Sequence, residues 1–307
     1  MNRIMVGLLT LACVQSAGAQ PEVRALGQLP GGGSSAATAI SADGRVVVGA
    51  SGTSAFRWSS QDGMQTLGTL PFPWSFESVA TSVSGDGTVV VGYGTNLLSK
   101  GFPTCAFRWT AASGMVPLGP PPVPGTLIGS AANGVSIDGS LIVGYREFSA
   151  CRWDGADQCS EISGMQDVFG VSGNGLAVVG RSVGRPARWT SEAGVELLGN
   201  LPGGAGVNTA GFAWAVSADG TVVVGGSPSS NSAPSGREAF RWTAAAGMVG
   251  LGDLTGGYFT SDALAVSSDG TIVVGESSAD TAGPTAFIWD EQHGMRPLRT
   301  YSSTSTD

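Results

Sequence analysis

The sequence predicts an all-β fold, a β-propeller of six four-stranded antiparallel blades, and three observations carry that expectation. A unit of about 45 residues recurs six times, a period typical of propeller blades. Every copy holds an Asp-Gly or Asn-Gly turn between two apolar runs, the strongest short hairpin signal. Gly supplies 49 of 307 residues while charged residues make up only 12%, so tight turns are many and polar surface is scarce. Hydrophobic residues stay at 42%, which excludes a disordered linker, and Gly follows no every-third-residue pattern, which excludes collagen.

The anchor of the unit is Ser-x-Asp-Gly, beginning at Ser41, Ser84, Ser136, Ser217 and Ser267, with Ser172-Gly173-Asn174-Gly175 as the sixth copy. Taken along the chain, the spacings are 43, 52, 36, 45 and 50. Strand one of each unit runs into the anchor, as in Ala37-Thr38-Ala39-Ile40. The turn itself is expected to be type I′, which needs φ > 0 at both central residues. Strand two is an apolar run ending in Gly, at 46–49, 89–92, 141–144, 177–180, 222–225 and 272–275. It does not alternate, so both of its faces should be covered by neighbouring blades. Strand three carries Ala-Phe-Arg-Trp at 55–58, 106–109 and 239–242, with weaker copies at 150–153, 187–189 and 286–289. Strand four opens on Gly-Met or Gly-Val and leads to Leu-Gly-x-Leu, as at Leu67 to Leu70. The third unit is expected to lack a fourth strand, because Gly164-Met165 runs almost directly into Val168, while Val23 to Gly27 is a stray one before the first anchor. Four antiparallel strands per 40–45 residues is the arithmetic of a propeller. A β-solenoid is the alternative, with shorter rungs and parallel strands.

Residues 1–19 read as a signal peptide. Arg3 supplies the positive start, residues 4–14 an apolar run too short to span a bilayer, and Ala17-Gly18-Ala19 a small-x-small cleavage site before Gln20. Residues 20–300 form the repeat array and 301–307 a disordered tail. No later stretch is apolar enough for a membrane helix, so the mature chain is expected to be secreted, extracellular or at the cell surface, the periplasm included. A net charge of −8 and a pI near 4.6 argue against nucleic acid as partner. Export permits disulfides. Cys151 and Cys159 flank the turn-like stretch 154–157 and are expected to bridge locally, leaving Cys105 free. His293 is the only histidine and no Cys-x-x-Cys occurs, so neither zinc nor another cofactor is expected.

The consensus Ser-x-Asp-Gly-x-Val-Val-Val-Gly, then Ala-Phe-Arg-Trp, then Gly-Met-x-x-Leu-Gly-x-Leu resembles the His-Ala-Phe (HAF) repeat family of bacterial extracellular proteins, repeats also found in autotransporter passengers. The resemblance covers nearly all of residues 22–299. This chain departs from the family's tripeptide, with Ser54, Cys105, Glu238 and Thr285 where the His would stand. What the resemblance implies is a surface or secreted location; it brings no reaction and no catalytic residue.

No catalytic constellation emerges from the residues. The anchor Asp is explained by its turn, and His293 has no nucleophile partner. The strand-three arginines Arg57, Arg108, Arg152, Arg188 and Arg241 recur as a ring, which reads as a blade-packing device stacking on Trp or meeting the anchor Asp. The connections from strand two to three and between units vary most, share one face, and carry rings, so that face is the expected interaction surface. Trp74, Phe76, Tyr93, Tyr258 and Phe259 are the candidates there. Trp214, on an innermost strand where other units have Thr38 or Thr81, lines or fills the central channel. The expectation is a monomeric, non-enzymatic binding or adhesion module for a glycan or protein. The rival is an extracellular polysaccharide hydrolase or lyase, which would need clustered carboxylates on the variable face.

Overall fold

The computed structural model describes residues 25–71, 77–95, 104–119, 129–155, 159–204, 210–232, 236–280 and 283–298. Among the described residues, twenty-four strands build six four-stranded sheets, each from four consecutive strands. Blades 1 to 6 span residues 35–66, 77–117, 130–161, 167–197, 212–252 and 261–297. All recorded pairings are antiparallel, so the fold is a six-bladed propeller and not a solenoid. No helix of the described residues is long and apolar enough to cross a membrane. The signal peptide and the tail lie outside the described residues.

Two local expectations are corrected. Blade 3 does have a fourth strand, Ser160–Glu161, because the insertion after Trp153 returns the chain alongside Cys151 and Arg152. Blade 6 completes itself with Gly294–Pro297, and Leu26 and Gly27 of the stray segment form no strand. The anchor turn is not type I′ either. Gly44 donates its N–H to Ser41 O at 2.9 Å and takes φ 71°, whereas no anchor Asp has positive φ. This is a type I turn followed by a left-handed Gly. The serine explains the choice: Ser41 Oγ–H donates to Asp43 Oδ1 at 2.6 Å and its oxygen accepts Val46 N–H, while Asp43 accepts Arg45 N–H. The anchors of the other five blades make the same serine bonds.

Those bonds set a pH dependence. The serine hydroxyl first, then the backbone N–H two residues on, hold Asp138 and Asp219 at about 2, below the ordinary 3.8. Asp43, Asp86 and Asp269 are lowered for the same reasons. A carboxyl depressed by folding stabilises fully above its unfolded value and loses that contribution as pH falls through the folded one. The melting temperature should therefore drop between pH 4 and 2, and Asp138→Asn should flatten the drop. Asn174 already makes the same bonds in blade 4 without titrating. An unchanged acid profile in an anchor Asp→Asn series would sink this account.

Every strand one contains a β-bulge. The extra residue is Thr38, Thr81, Asn133, Phe169, Trp214 or Leu264. A bulge bends the strand locally and re-aims one side chain. In blades 1 to 3 that side chain locks onto the next blade: Thr38 donates to Ala80 O, Thr81 to Ala132 O and Asn133 to Val168 O, each at 2.6 Å. The arginine ring does tie blades together, but to the turn glycine carbonyl and not to the anchor Asp. Arg57, Arg188 and Arg241 donate Nε–H to Gly87 O, Gly220 O and Gly270 O of the following blade at 3.1–3.3 Å. Arg152 instead stacks 5.4 Å over Trp189.

The valine runs lie between blades, as their lack of alternation requires. Val48, Val91, Val143, Val179 and Val224 are wholly buried against the next blade's strand one. Val274, their counterpart in blade 6, is 36% exposed, and Ala286 and Ala37 are exposed where their counterparts are buried. Among the described residues, the facing surfaces of blades 6 and 1 are bare.

Candidate functional site

The connections from strand two to three and those between blades share one rim, and over blades 4 to 6 this rim carries a cluster of rings and charges. The bulges of blades 4 and 5 supply Phe169 and Trp214, whose rings meet at 4.5 Å between centroids. Phe212, at the start of strand Phe212–Val216, stacks on Trp214 at 4.9 Å and 12° and lies 6.0 Å from Phe169. Two cations converge on Phe212: the guanidinium carbons of Arg181 and Arg237 each stand 5.1 Å from its centroid. Such contacts strengthen where water is partly excluded, and Arg181 and Arg237 keep under a third of their side chains exposed.

Each cation has a carboxylate. Arg237 reaches Asp262 through Nε at 3.0 Å and Nη2 at 2.7 Å, a two-pronged pair between blades 5 and 6. Asp262 also accepts Trp214 Nε1–H at 3.2 Å, and only 8% of it is exposed. Room for it exists because residue 226 is Gly: any Cβ there would fall inside 3.0 Å of the Asp262 carboxylate. Arg181 pairs with Asp167 across the first two strands of blade 4, at 2.7 and 2.5 Å. The cluster offers aromatic faces edged by fixed charges, a surface that stacks rings and orients polar groups.

Of the residues expected from sequence, Trp214 lies in this cluster. Tyr258, 84% exposed, and half-buried Phe259 sit on the connection entering blade 6 at the same rim. Tyr93 is half-buried in blade 2, at the repeat position that Arg181 occupies in blade 4. Trp74 and Phe76 lie outside the described residues. Sequence reading missed Phe169, Phe212, Arg181, Arg237, Asp167 and Asp262. One signal was present: aligned to the anchor, Phe169 and Leu264 share the column of Thr38 and Trp214. Among the described residues, no three His, Cys, Asp or Glu side chains group as metal ligands.

The expected Cys151–Cys159 bridge is corrected: both thiols are free, as is Cys105. Cys159 packs beside Cys151 without being bonded to it. Burial pushes the Cys105 thiol up to about 11, and burial together with the adjacent Cys159 raises that of Cys151.

No family model matches this sequence, and no curated protein does. Among solved structures the chain is similar to a puromycin hydrolase, at 11% identity over 90% of this chain and 46% of that one, with a TM-score of 0.56. It is also similar to an oligogalacturonate lyase solved with manganese, at 13% over 81% of this chain and 74% of that one, TM-score 0.51. TolB from Acinetobacter baumannii matches at 15% over 68% of this chain and 52% of that one, TM-score 0.43. The chain thus spans about half the length of the hydrolase and of that TolB. Likeness at these identities establishes the propeller fold alone.

Proposed function

We propose that the protein is an exported, non-enzymatic binding propeller of the HAF-repeat type whose rim over blades 4 to 6 holds a glycan, with a protein segment as the other ligand class. The signal-like residues 1–19 support export, and the six repeat copies support the family. One observation carries the binding reading: where blades 1 and 2 place a threonine lock, blades 4 and 5 place Phe169 and Trp214, the latter stacked on Phe212 with Phe169 tilted against both, and two guanidiniums edge the group. Sugar rings pack on aromatic faces while their hydroxyls bond flanking charges. Both carboxylates of the cluster are committed to arginine, so neither is free to move a proton as general acid or base.

A glycan array probed with the mature protein should give a defined set of hits. Phe212→Ala should weaken them by about tenfold or more, the size expected of a central ring contact. Its thermal unfolding should stay close to that of the parent, because Phe212 is half-buried at the rim. Turnover of a polysaccharide, or array hits indifferent to Phe212→Ala, would overturn this reading. Capture of a protein partner that Phe212→Ala abolishes would keep the site and change the ligand class.

A further inference from the structure

We infer that blade 6 of one copy of this chain docks on blade 1 of a second copy, head to tail, through the surfaces that join blades within the chain. The five internal junctions show what each face is built to meet. Among the described residues, the outward face of blade 6 and the entry face of blade 1 are the two left without a neighbour.

At each internal junction the first apolar residue of strand two rests on the anchor glycine of the next blade. A Cβ added to Gly87, Gly139, Gly175, Gly220 or Gly270 would meet Val46, Val89, Leu141, Ala177 or Val222. Those five side chains are buried, whereas Ile272, their counterpart in blade 6, is 43% exposed. Gly44 of blade 1 has open space in the same place. A belt of backbone bonds also links the anchor turns, from Ala42 N–H to Gly85 O at 3.1 Å and on to Ala218 N–H and Ser268 O at 3.0 Å. Among the described residues its free ends are Ala42 O and Ser268 N–H. Elsewhere on the junctions, Ala55, Ala106 and Ala239 donate N–H to Ser78, Ser130 and Ser261 Oγ of the next blade at 2.9–3.0 Å. Strand register puts Ala286 and Ser35 at the two halves of that bond.

The character of the two faces makes a copy of this chain the occupant. A repeat without a neighbour ordinarily turns a polar face to solvent. Blade 6 does the reverse: it leaves Val274 and Ala286 bare and sets Ile288 in the column where Arg57, Arg188 and Arg241 bond the next blade. Blade 1 of the same chain does not cover that face, since Gly44 is open and Ile40 is 60% exposed. Blade 1 is also shaped for an incoming blade. Ser35 Oγ–H donates to Gly27 O at 2.8 Å, as Ser261 does to Gly252 O of the blade before it at 2.6 Å. Leu26 and Gly27 thus hold the seat of a preceding fourth strand. Leu298, exposed where Leu67, Leu118, Leu198 and Leu251 are buried, takes that seat over on docking. The two faces differ, so the contact passes from copy to copy and builds a ring or a filament.

Sedimentation of the mature protein over a micromolar-to-millimolar series tests this. The weight-average mass should climb past that of two chains. Ala286→Arg spoils the blade 6 face and Ala37→Arg that of blade 1. Each variant should stay monomeric and melt as the dilute parent does, because both positions are exposed in the single chain. Mixed in equal amounts, the two variants should form dimers and nothing larger, since one sound face of each kind remains. A parent that stays monomeric throughout would overturn the proposal; lowered melting temperatures in both variants would then mean that blade 6 closes on its own blade 1. Assembly that survives either substitution, or a mixture that stays monomeric, would overturn it as well. None of these results depends on the rim over blades 4 to 6.

Discussion

Alanine in place of the glycine that ends a strand-two run is expected to destabilise this protein by about 3 kcal/mol or more. The six positions are Gly49, Gly92, Gly144, Gly180, Gly225 and Gly275. A Cβ at any of them would fall inside 3.0 Å of the strand-one carbonyl oxygen of Ala36, Val79, Ala131, Asp167, Phe212 or Asp262. The cause is the bulge. The extra residue in strand one leaves the carbonyl two residues before it aimed at strand two, and only a residue without a side chain fits beneath it. The obstacle is backbone held by ladder bonds, so it cannot swing aside as a flexible side chain would. Gly63 provides the contrast: its φ is 69° with open space around a Cβ, so alanine there costs only the left-handed penalty of about 1–2 kcal/mol. Thermal unfolding of Gly180→Ala should fall roughly 6–12 °C below the parent, at about 2–4 °C per kcal/mol for a chain of this size. A Gly180→Ala protein no less stable than Gly63→Ala would refute the bulge explanation.

The blades were legible because their punctuation is local. Ser-x-Asp-Gly, the valine run and the Gly-Met opening each declare a turn or a strand within a few residues, and the structure places all six anchors in equivalent turns. The bulge was not legible, because its residue varies among Thr, Asn, Phe, Trp and Leu and its effect exists only once two strands are in register. The rim cluster stayed hidden for the same reason. Trp214 stood out in its repeat column, but Phe169 read as an ordinary member of an apolar inner strand, and nothing in sequence says that the bulges turn the two toward one another. Arg181 and Arg237 belong to different repeats, 56 positions apart, and nothing in sequence says that both meet Phe212. The turn type was misread because Asp-Gly alone signals type I′; the serine two residues earlier, bonded to the Asp, selects type I.

The bare faces of blades 6 and 1 bear on how the rim is held. In an array of repeats, each unit draws its stability from its own sheet and from the neighbours on either side. Blades 2 to 5 have two such neighbours. Blade 6 packs its inner valine, Val273, against blade 5 but leaves Val274 exposed, so among the described residues it is held from one side. Its position therefore rests on the junction with blade 5, and the Arg237–Asp262 pair spans that junction at the rim.

Asp262→Ala is accordingly expected to cost about 3 kcal/mol, the low end for removing one partner of a buried ion pair. Two donors lose their acceptor at once. The Arg237 guanidinium, 28% exposed, keeps its charge without a counterion, and Trp214 Nε1–H is left unpaired between Phe169 and Phe212. With that brace gone, Arg237 no longer has a fixed place over Phe212, so glycan binding at the rim should fall along with stability. Asp262→Asn should be milder, because its amide oxygen still accepts from Trp214 while the charge attraction to Arg237 disappears. Pairing Asp262→Ala with Arg237→Met should recover much of the lost stability, since the penalty lies in the stranded charge, but should not restore binding. Urea unfolding of the four proteins separates the two effects. A single-mutant cost within about 0.5 kcal/mol of zero, the ordinary range for a surface change, would mean that the pair does not brace blade 6.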